Sequence, residues 1–293
     1  MRRVYRGRVT SATTYETHPG LPETIAAVPE ALRPWFAGVE SPAASEGPLS
    51  PPDDSAQHEP YTYVPDAATK LVVRTDADGR RDVVVVGPRT RASYYASRRP
   101  ASCVQLRLEP GTARPLLGVP ATDLLDRVVR LADLPALAAR QLAAELRTTS
   151  AESIVPHLAR ALPDQLPPPG DSRTGLLRAA VEAMSPSADH RPDGVRELAR
   201  RLAVSERQLR NLFADGVGVS PKLYARIARV RHLLAHRSPA VPWAQLATAT
   251  GYYDQSHMTA DFRTLMGVPP TSYFTGRLPA AQPCRPLDRA QSR

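Results

Sequence analysis

The sequence is poor in cysteine and in aromatic residues, and it contains no long apolar run. Cys103 and Cys284 are the only cysteines in 293 residues. Two thiols so far apart make neither a disulfide framework nor a zinc knuckle, so both are expected to be ordinary reduced thiols. Apolar stretches are short, as at 83–86, where a membrane helix would need about 18 residues. Residues 1–8 carry four arginines with no apolar stretch behind them, which is not the pattern of a secretory signal. A cytoplasmic protein without a membrane span is the expectation. Aromatics are only 5% while prolines number 31, against 42% hydrophobic and 23% charged residues. That mixture excludes collagen, coiled coil and wholesale disorder, and predicts a globular chain with long irregular connections. The length suggests two domains.

The net charge of +9 is unevenly placed. Residues 1–169 hold 20 Lys and Arg against 19 Asp and Glu, whereas residues 170–293 hold 18 against 10. A neutral half followed by a basic one suggests a polyanionic partner for the second.

Residues 41–60 are too rich in Pro, Ser and acid to pack and read as a loop. The β-branched runs at 70–75 and 82–86 flank Asp76-Ala77-Asp78-Gly79-Arg80 and predict a hairpin, with 102–108 as a third strand. From about Ala121 the apolar period becomes helical, with Leu124, Leu125, Val128, Val129 and Leu131 on one stripe, followed by helices at 134–146 and 154–162. The proline run of 162–170 breaks the helix and matches a linker. Beyond it, short helices are expected at 173–184, 195–202, 205–213, 221–236, 243–250 and 255–266. Ser205 and Asp254 are N-cap residues, Gly218 and Gly267 follow helix ends, and Pro221 stands at a first helical position. The fold class is α+β in two domains: a β-rich, cupin-like N-terminal domain with helices (1–161), a proline linker (162–172), an all-α domain (173–275) and a basic flexible tail (276–293).

Sliding the C-terminal region on itself by 49 residues superimposes Gly218-Val219-Ser220-Pro221 on Gly267-Val268-Pro269-Pro270, Tyr224 on Tyr273, and Phe213 on Phe262. Upstream the offset is 48, aligning Leu198-Ala199 with Leu246-Ala247 and Ala203 with Gly251. This is a duplicated helix-turn-helix. Each unit buries one apolar face, through Leu198, Leu202, Leu209 and Phe213 or through Leu246, Met258 and Phe262, and leaves the other face of its second helix free.

Residues 173–275 resemble the DNA-binding region of AraC/XylS-type transcriptional regulators. The resemblance rests on Ala249-Thr250-Gly251-Tyr252-Tyr253-Asp254-Gln255-Ser256-His257-Met258, then Asp261-Phe262-Arg263 and Gly267-Val268-Pro269-Pro270. The first unit departs from the pattern with Ala203 in place of a common glycine and with Asp215-Gly216-Val217-Gly218 as its connection. The N-terminal part resembles the sensor half of a group of these regulators through Val64-Pro65-Asp66, Val86-Gly87-Pro88-Arg89-Thr90 and Arg107-Leu108-Glu109-Pro110-Gly111. Ala67-Ala68 stand where that group often has Gly-Cys.

The resemblance implies a sequence-specific regulator that reads two adjacent major-groove segments of double-stranded DNA. RNA polymerase is then the expected protein partner, and a small-molecule effector and a homodimer are compatible with it. On the second helix of the first unit, Arg207, Arg210 and Asn211 face away from Leu209 and Phe213; arginine suits guanine and asparagine suits adenine in direct readout. The same logic selects Gln255, Ser256, Thr259 and Ala260 in the second unit, with Ala260 able only to touch a thymine methyl. Arg196, Arg200, Arg201, Lys222 and Arg263, with the tail residues Arg277, Arg285 and Arg289, are suited to phosphates. His257 is expected to face sideways in a structural role.

No cofactor, metal or catalytic constellation is expected, and the chain is not read as an enzyme. His232 and His236 lack a third ligand. The glycines of 216–218 and 111–118 make neither a dinucleotide loop nor a P-loop, and no Gly-x-Ser-x-Gly occurs. Cys103 on an alternating strand reads as packing. Arg74, Tyr94 and Arg107 are read from the strand pattern as the lining of a sensor pocket. The rival reading is a small-molecule-binding or catalytic β domain with an accessory helical module; it needs ligands on the strands, whereas His18 and His58 fall in loops.

Overall fold

The computed structural model describes residues 24–41, 60–76, 79–96, 102–166, 170, 172–186, 192, 194–238 and 240–283. His18, His58, Cys284, Arg285, Arg289 and nearly all of the 41–60 loop lie outside them.

The N-terminal half is built on antiparallel sheet. Strands β1 (Thr24–Ala26), β2 (Phe36–Ser41), β4 (Lys70–Thr75), β5 (Arg81–Val86), β7 (Ser102–Leu108) and β8 (Val128–Arg130) form six strands in the order β1-β2-β7-β4-β5-β8. The β4–β5 hairpin pairs Lys70 with Val86 and Thr75 with Arg81, and β4 pairs with β7 along its whole length. Alternation puts Leu71, Val73, Val83, Val85, Leu106 and Leu108 on one face. Helices α1 (Ala113–Leu117), α2 (Leu137–Leu146) and α3 (Ile154–Gln165) cover that face with Leu116, Leu117, Leu142, Leu146, Ile154, Leu158 and Leu162. Each such side chain, fully buried, contributes about 1.5–3 kcal/mol.

Two expectations are corrected. The stripe at 124–131 is not helical: Val128–Arg130 is edge strand β8, paired with Val84–Val86, and only short 3-10 turns flank it. Three β-branched or long side chains beside an open sheet edge gain more from the ladder than from one helical turn. Helix α3 also runs through Pro163 to Gln165. Pro163 forfeits its own ladder bond to the Ala159 carbonyl, and burial of Leu162 beside it holds the last turn in place.

A second, three-stranded sheet has the order β3 (Pro60–Tyr63), β6 (Ser93–Ala96), β9 (Gln282–Pro283). Strand β9 comes from the C-terminal end of the chain and runs parallel to β6.

The C-terminal half is helical: α4 (Ser172–Met184), α5 (Val195–Arg201), α6 (Glu206–Gly216), α7 (Pro221–His236), α8 (Trp243–Ala249), α9 (Gln255–Met266) and α10 (Pro270–Phe274). Among the described residues no helix is long and apolar enough to cross a membrane. Its core also takes in Val64, Ala67 and Tyr94 from the β half. The two halves meet over a broad polar seam. The Gly111 amide donates to the Gly216 carbonyl at 2.9 Å, Arg114 pairs with Asp215 at 2.6 Å, and Arg178 donates to the Pro34 carbonyl at 2.8 Å. A Cβ at Gly216 would lie 3.1 Å from Gly111 Cα and 2.2 Å from Leu177 Cδ2, which accounts for the glycine in the unusual connection after α6.

Candidate nucleic-acid interface

The two helix-turn-helix units superimpose element by element. α5 and α8 each span seven residues, and Leu198, Ala199, Leu246 and Ala247 are all buried. Both turns pass through a left-handed residue, Ala203 at φ 53° and Gly251 at φ 81°. The aromatic pairs repeat as well: Phe213 and Tyr224 meet edge to face at 5.6 Å, and Phe262 and Tyr273 at 5.7 Å.

Both second helices are capped as their sequences predict. The Ser205 hydroxyl accepts from the Gln208 amide at 3.1 Å, and Gln208 Oε1 accepts from the Ser205 amide at 2.8 Å, a complete capping box. Asp254 accepts from the His257 amide at 2.7 Å. Each cap fixes where its helix begins and therefore which residues its outer face presents.

On α6, Leu209, Leu212 and Phe213 are buried while Arg207, Arg210 and Asn211 are exposed. These three share one face, being three and four residues apart. Arg210 Nε donates to the Glu206 carbonyl at 3.2 Å, laying its stem along the helix. On α9, Met258, Phe262, Leu265 and Met266 are buried, Gln255, Ser256 and Ala260 are exposed and Thr259 is half-buried. At the 49-residue offset Arg207, Arg210 and Asn211 correspond to Ser256, Thr259 and Ala260. The first face offers charged and amide donors; the second is short and weakly polar.

Of the residues assigned to phosphates, Arg196, Arg200 and Arg201 lie on α5 and Lys222 on α7, whereas Arg263 continues the outer face of α9 one turn past Thr259 and Ala260. Arg196, Arg200, Arg201, Lys222, Arg263 and Arg277 are all exposed. Arg196 lies 3.5 Å from Glu206 and Arg200 pairs with Glu197. Exposed pairs of this kind are worth at most about 1 kcal/mol, so they do not withhold the guanidinium groups from a polyanion. His257 is half-exposed; its ring meets Tyr252 edge to face at 5.4 Å and its Nε2 lies 3.9 Å from Asp261.

Asp261 belongs to the family pattern, but its sequence position alone assigned it no role. It is buried, and its carboxylate accepts from Arg226 Nε at 2.9 Å and Arg229 at 3.3 Å, tying α9 to α7. The signal lay in the repeat, where the residue matching buried Leu212 is an aspartate.

The three residues expected to line a sensor pocket separate. Arg74 pairs with Asp82. Tyr94, buried and pushed up to about 12 by burial, donates its hydroxyl to the Met266 carbonyl at 2.6 Å. Arg107 grips Asp66 with both guanidinium nitrogens, at 2.9 and 2.8 Å, and Asp66 also meets Lys70 at 3.0 Å and Arg231 of α7 at 3.4 Å. Burial alone would raise the Asp66 pKa; the three cations outweigh it and hold the carboxyl well below its usual range. Burial raises the Cys103 thiol, which disfavours a thiolate. His232 and His236 stack at 4.0 Å, and burial lowers His232 to about 4.

Residues 198–276 match the family described as a helix-turn-helix domain. Residues 49–130 match a domain of unknown function, DUF6597. No curated protein matches the chain in sequence. Among solved structures, ToxT from Vibrio cholerae in its P21 crystal form is similar over 75% of this chain and 98% of that one, at 9% identity and a TM-score of 0.37. ToxT bound to (E)-4-(8-methylnaphthalen-1-yl)but-3-enoic acid covers 75% of this chain and 95% of its own, at 12% identity and a TM-score of 0.39.

Proposed function

We infer, from the premise that this chain is a DNA-binding transcriptional regulator of the AraC type, that α6 and α9 are its recognition helices and that they read successive major-groove segments about 34 Å apart on one DNA face. The observation that carries this reading is the paired exposure of two equivalent helix faces whose opposite sides are buried in one core. Arg207 and Arg210 donate to guanine O6 and N7, Asn211 and Gln255 engage adenine, Ser256 and Thr259 make single hydrogen bonds, and Ala260 packs on a thymine methyl. Arg196, Arg200, Arg201, Lys222 and Arg263 neutralise phosphates and give the binding its salt dependence.

The β-rich N-terminal half, through the end of α3, forms a sensing or dimerisation domain, joined by the proline-rich segment that follows α3 to the DNA-binding residues 173–275. The protein acts in the cytoplasm by binding rather than catalysis, with RNA polymerase as its protein partner, a small-molecule effector on the β half and a homodimer as the assembled form.

The test begins with selection of genomic fragments by the full chain, followed by fluorescence anisotropy on the selected duplex and a scrambled one across a salt series. Arg207→Ala and Arg210→Ala should each lose about 1–3 kcal/mol of discrimination at one base pair, whereas Arg263→Ala should weaken both duplexes alike. Equal losses on matched and scrambled DNA for all three variants would defeat the assignment.

A further inference from the structure

The reading face of α9 does not open freely to solvent along its whole length. A cleft of ≈ 1110 Å³ runs beside it, with Gln255, Ser256, Thr259 and Arg263 on one wall and Arg91 and Tyr94 of the β half on the other. The segment that carries Arg91 is fastened to the C-terminal end of α9 by two hydrogen bonds. The Ala92 amide donates to the Leu265 carbonyl at 2.7 Å, and the Tyr94 hydroxyl to the Met266 carbonyl at 2.6 Å. They satisfy two of the four carbonyls that a helix end leaves unpaired, so the β half is fixed to the recognition helix itself.

Between those anchors and the start of the helix lie ten residues, about 15 Å at the α-helical rise. A recognition helix meets base edges with its N-terminal residues. Its C-terminal end then lies toward the sugar-phosphate wall of the groove, where Arg263 and Arg91 stand. Arg91 is exposed, and no hydrogen bond or ion pair holds its guanidinium among the described residues. Past Arg91 a second, smaller cavity of ≈ 350 Å³ continues the basic surface, lined by Arg89, Arg91 and Arg127. Its acidic member, Asp126, is engaged locally: its two oxygens accept from the Thr90 amide at 2.7 Å and the Thr90 hydroxyl at 2.6 Å. Arg89 is committed to the Tyr63 ring at 4.3 Å and Arg127 donates from one nitrogen to the Asp123 carbonyl at 3.0 Å, which leaves Arg91 as the uncommitted arginine of the track among the described residues.

We propose that the β half takes part directly in DNA binding: the cleft between α9 and residues 91–94 seats a phosphodiester strand at the wall of the major groove, and Arg91 contacts a phosphate there. This rests on α9 being a recognition helix. The contact is sequence-independent and pre-positioned, because the segment bearing it is anchored to the helix it assists.

The experiment measures anisotropy of the full chain on its selected duplex and on a scrambled duplex across a salt series, for wild type, Arg91→Ala, Arg91→Lys and Gln255→Ala. Arg91→Ala should make the slope of log K against log salt shallower by about 0.9, the value of one phosphate contact. It should also weaken both duplexes by up to about fivefold, while Arg91→Lys keeps the wild-type slope. Because Arg91 holds no partner among the described residues, an unchanged thermal melting curve serves as the folding control. A wild-type slope and affinity in Arg91→Ala overturns the proposal, as does tighter binding, which would make residues 91–94 an obstruction to DNA. Gln255→Ala, on α9 itself, separates the two failures: if it lowers the matched-to-scrambled ratio while Arg91→Ala is silent, only the β-half contact falls. If it leaves that ratio unchanged, the recognition-helix reading fails and takes this proposal with it.

Discussion

In the first helix-turn-helix unit the inner face of the second helix is wholly apolar, with Leu209, Leu212 and Phe213 buried together; in the second, the residue matching Leu212 is Asp261, buried between Arg226 and Arg229. The outer faces differ in the opposite sense. The first presents two arginines and an asparagine, the second a serine, a threonine and an alanine at the matching positions. The unit with the more strongly donating outer face has no charge on that inner face, and its far end is tied to the β half by the Gly111–Gly216 hydrogen bond and the Arg114–Asp215 pair. The unit with the weaker donors is held by an ion network to α7 and by two hydrogen bonds from the β half at its far end. Packing tolerates small displacements, whereas a buried charge pair and a fixed hydrogen bond specify one placement. Both units are anchored at the far end of their second helix, and the second adds a buried ion network that fixes α9 against α7.

The largest effect that tests this contrast is at Asp261. Its removal leaves two arginines on α7 without their shared carboxylate, and loss of one partner of a buried pair costs about 3–5 kcal/mol. Arg226 and Arg229 keep 27% and 18% of their side-chain surface exposed, so the lower figure, about 3 kcal/mol, is expected for Asp261→Ala in urea denaturation. Leu212→Ala at the matching position should cost a comparable amount, about 2–5 kcal/mol. The distinction is in coupling: Asp261→Ala and Arg226→Ala should be strongly non-additive in a double-mutant cycle. Additive losses would mean that the ion pair does not position α9.

Much of the C-terminal half was legible in the sequence. Capping residues, the Ser220-Pro221 start and the 49-residue repeat gave helix bounds for α7 and α9 that the structure reproduces residue for residue. The strand pattern of 70–75, 82–86 and 102–108 was equally readable, since alternation and a turn are local signals. What escaped was whatever depended on a distant partner. Val128–Arg130 is a strand because β5 offers an open edge, and Tyr94 is buried because α9 ends beside it. The Asp66 cluster draws on β2, β4, β7 and α7 at once. Neither periodicity nor spacing encodes such meetings. The faces of α6 and α9 were readable because helical period alone separates exposed from buried positions there, while Arg91 carries no local mark that sets it apart from other surface arginines.

The smallest effect concerns the two turns, which share a left-handed residue but not its strain. Ala203 at φ 53° lies within the narrow left-handed region open to L residues, whereas Gly251 at φ 81° lies beyond it. A Cβ at Gly251 would meet only Arg229 Cδ at 3.6 Å and Pro192 Cδ at 3.9 Å, ordinary contacts, so backbone conformation alone sets the cost of a side chain there. Left-handed strain of about 1–2 kcal/mol, offset by the lower unfolded-state entropy of alanine, gives Gly251→Ala a net cost of about 1 kcal/mol. Ala203→Gly relieves less strain and incurs the same entropy in reverse, so it should shift stability by only a few tenths of a kcal/mol. Thermal and urea denaturation of both variants provides the measurement. Equal and opposite shifts would show the two turns to be conformationally equivalent, and the departure at Ala203 would then carry a constant penalty rather than an adapted backbone.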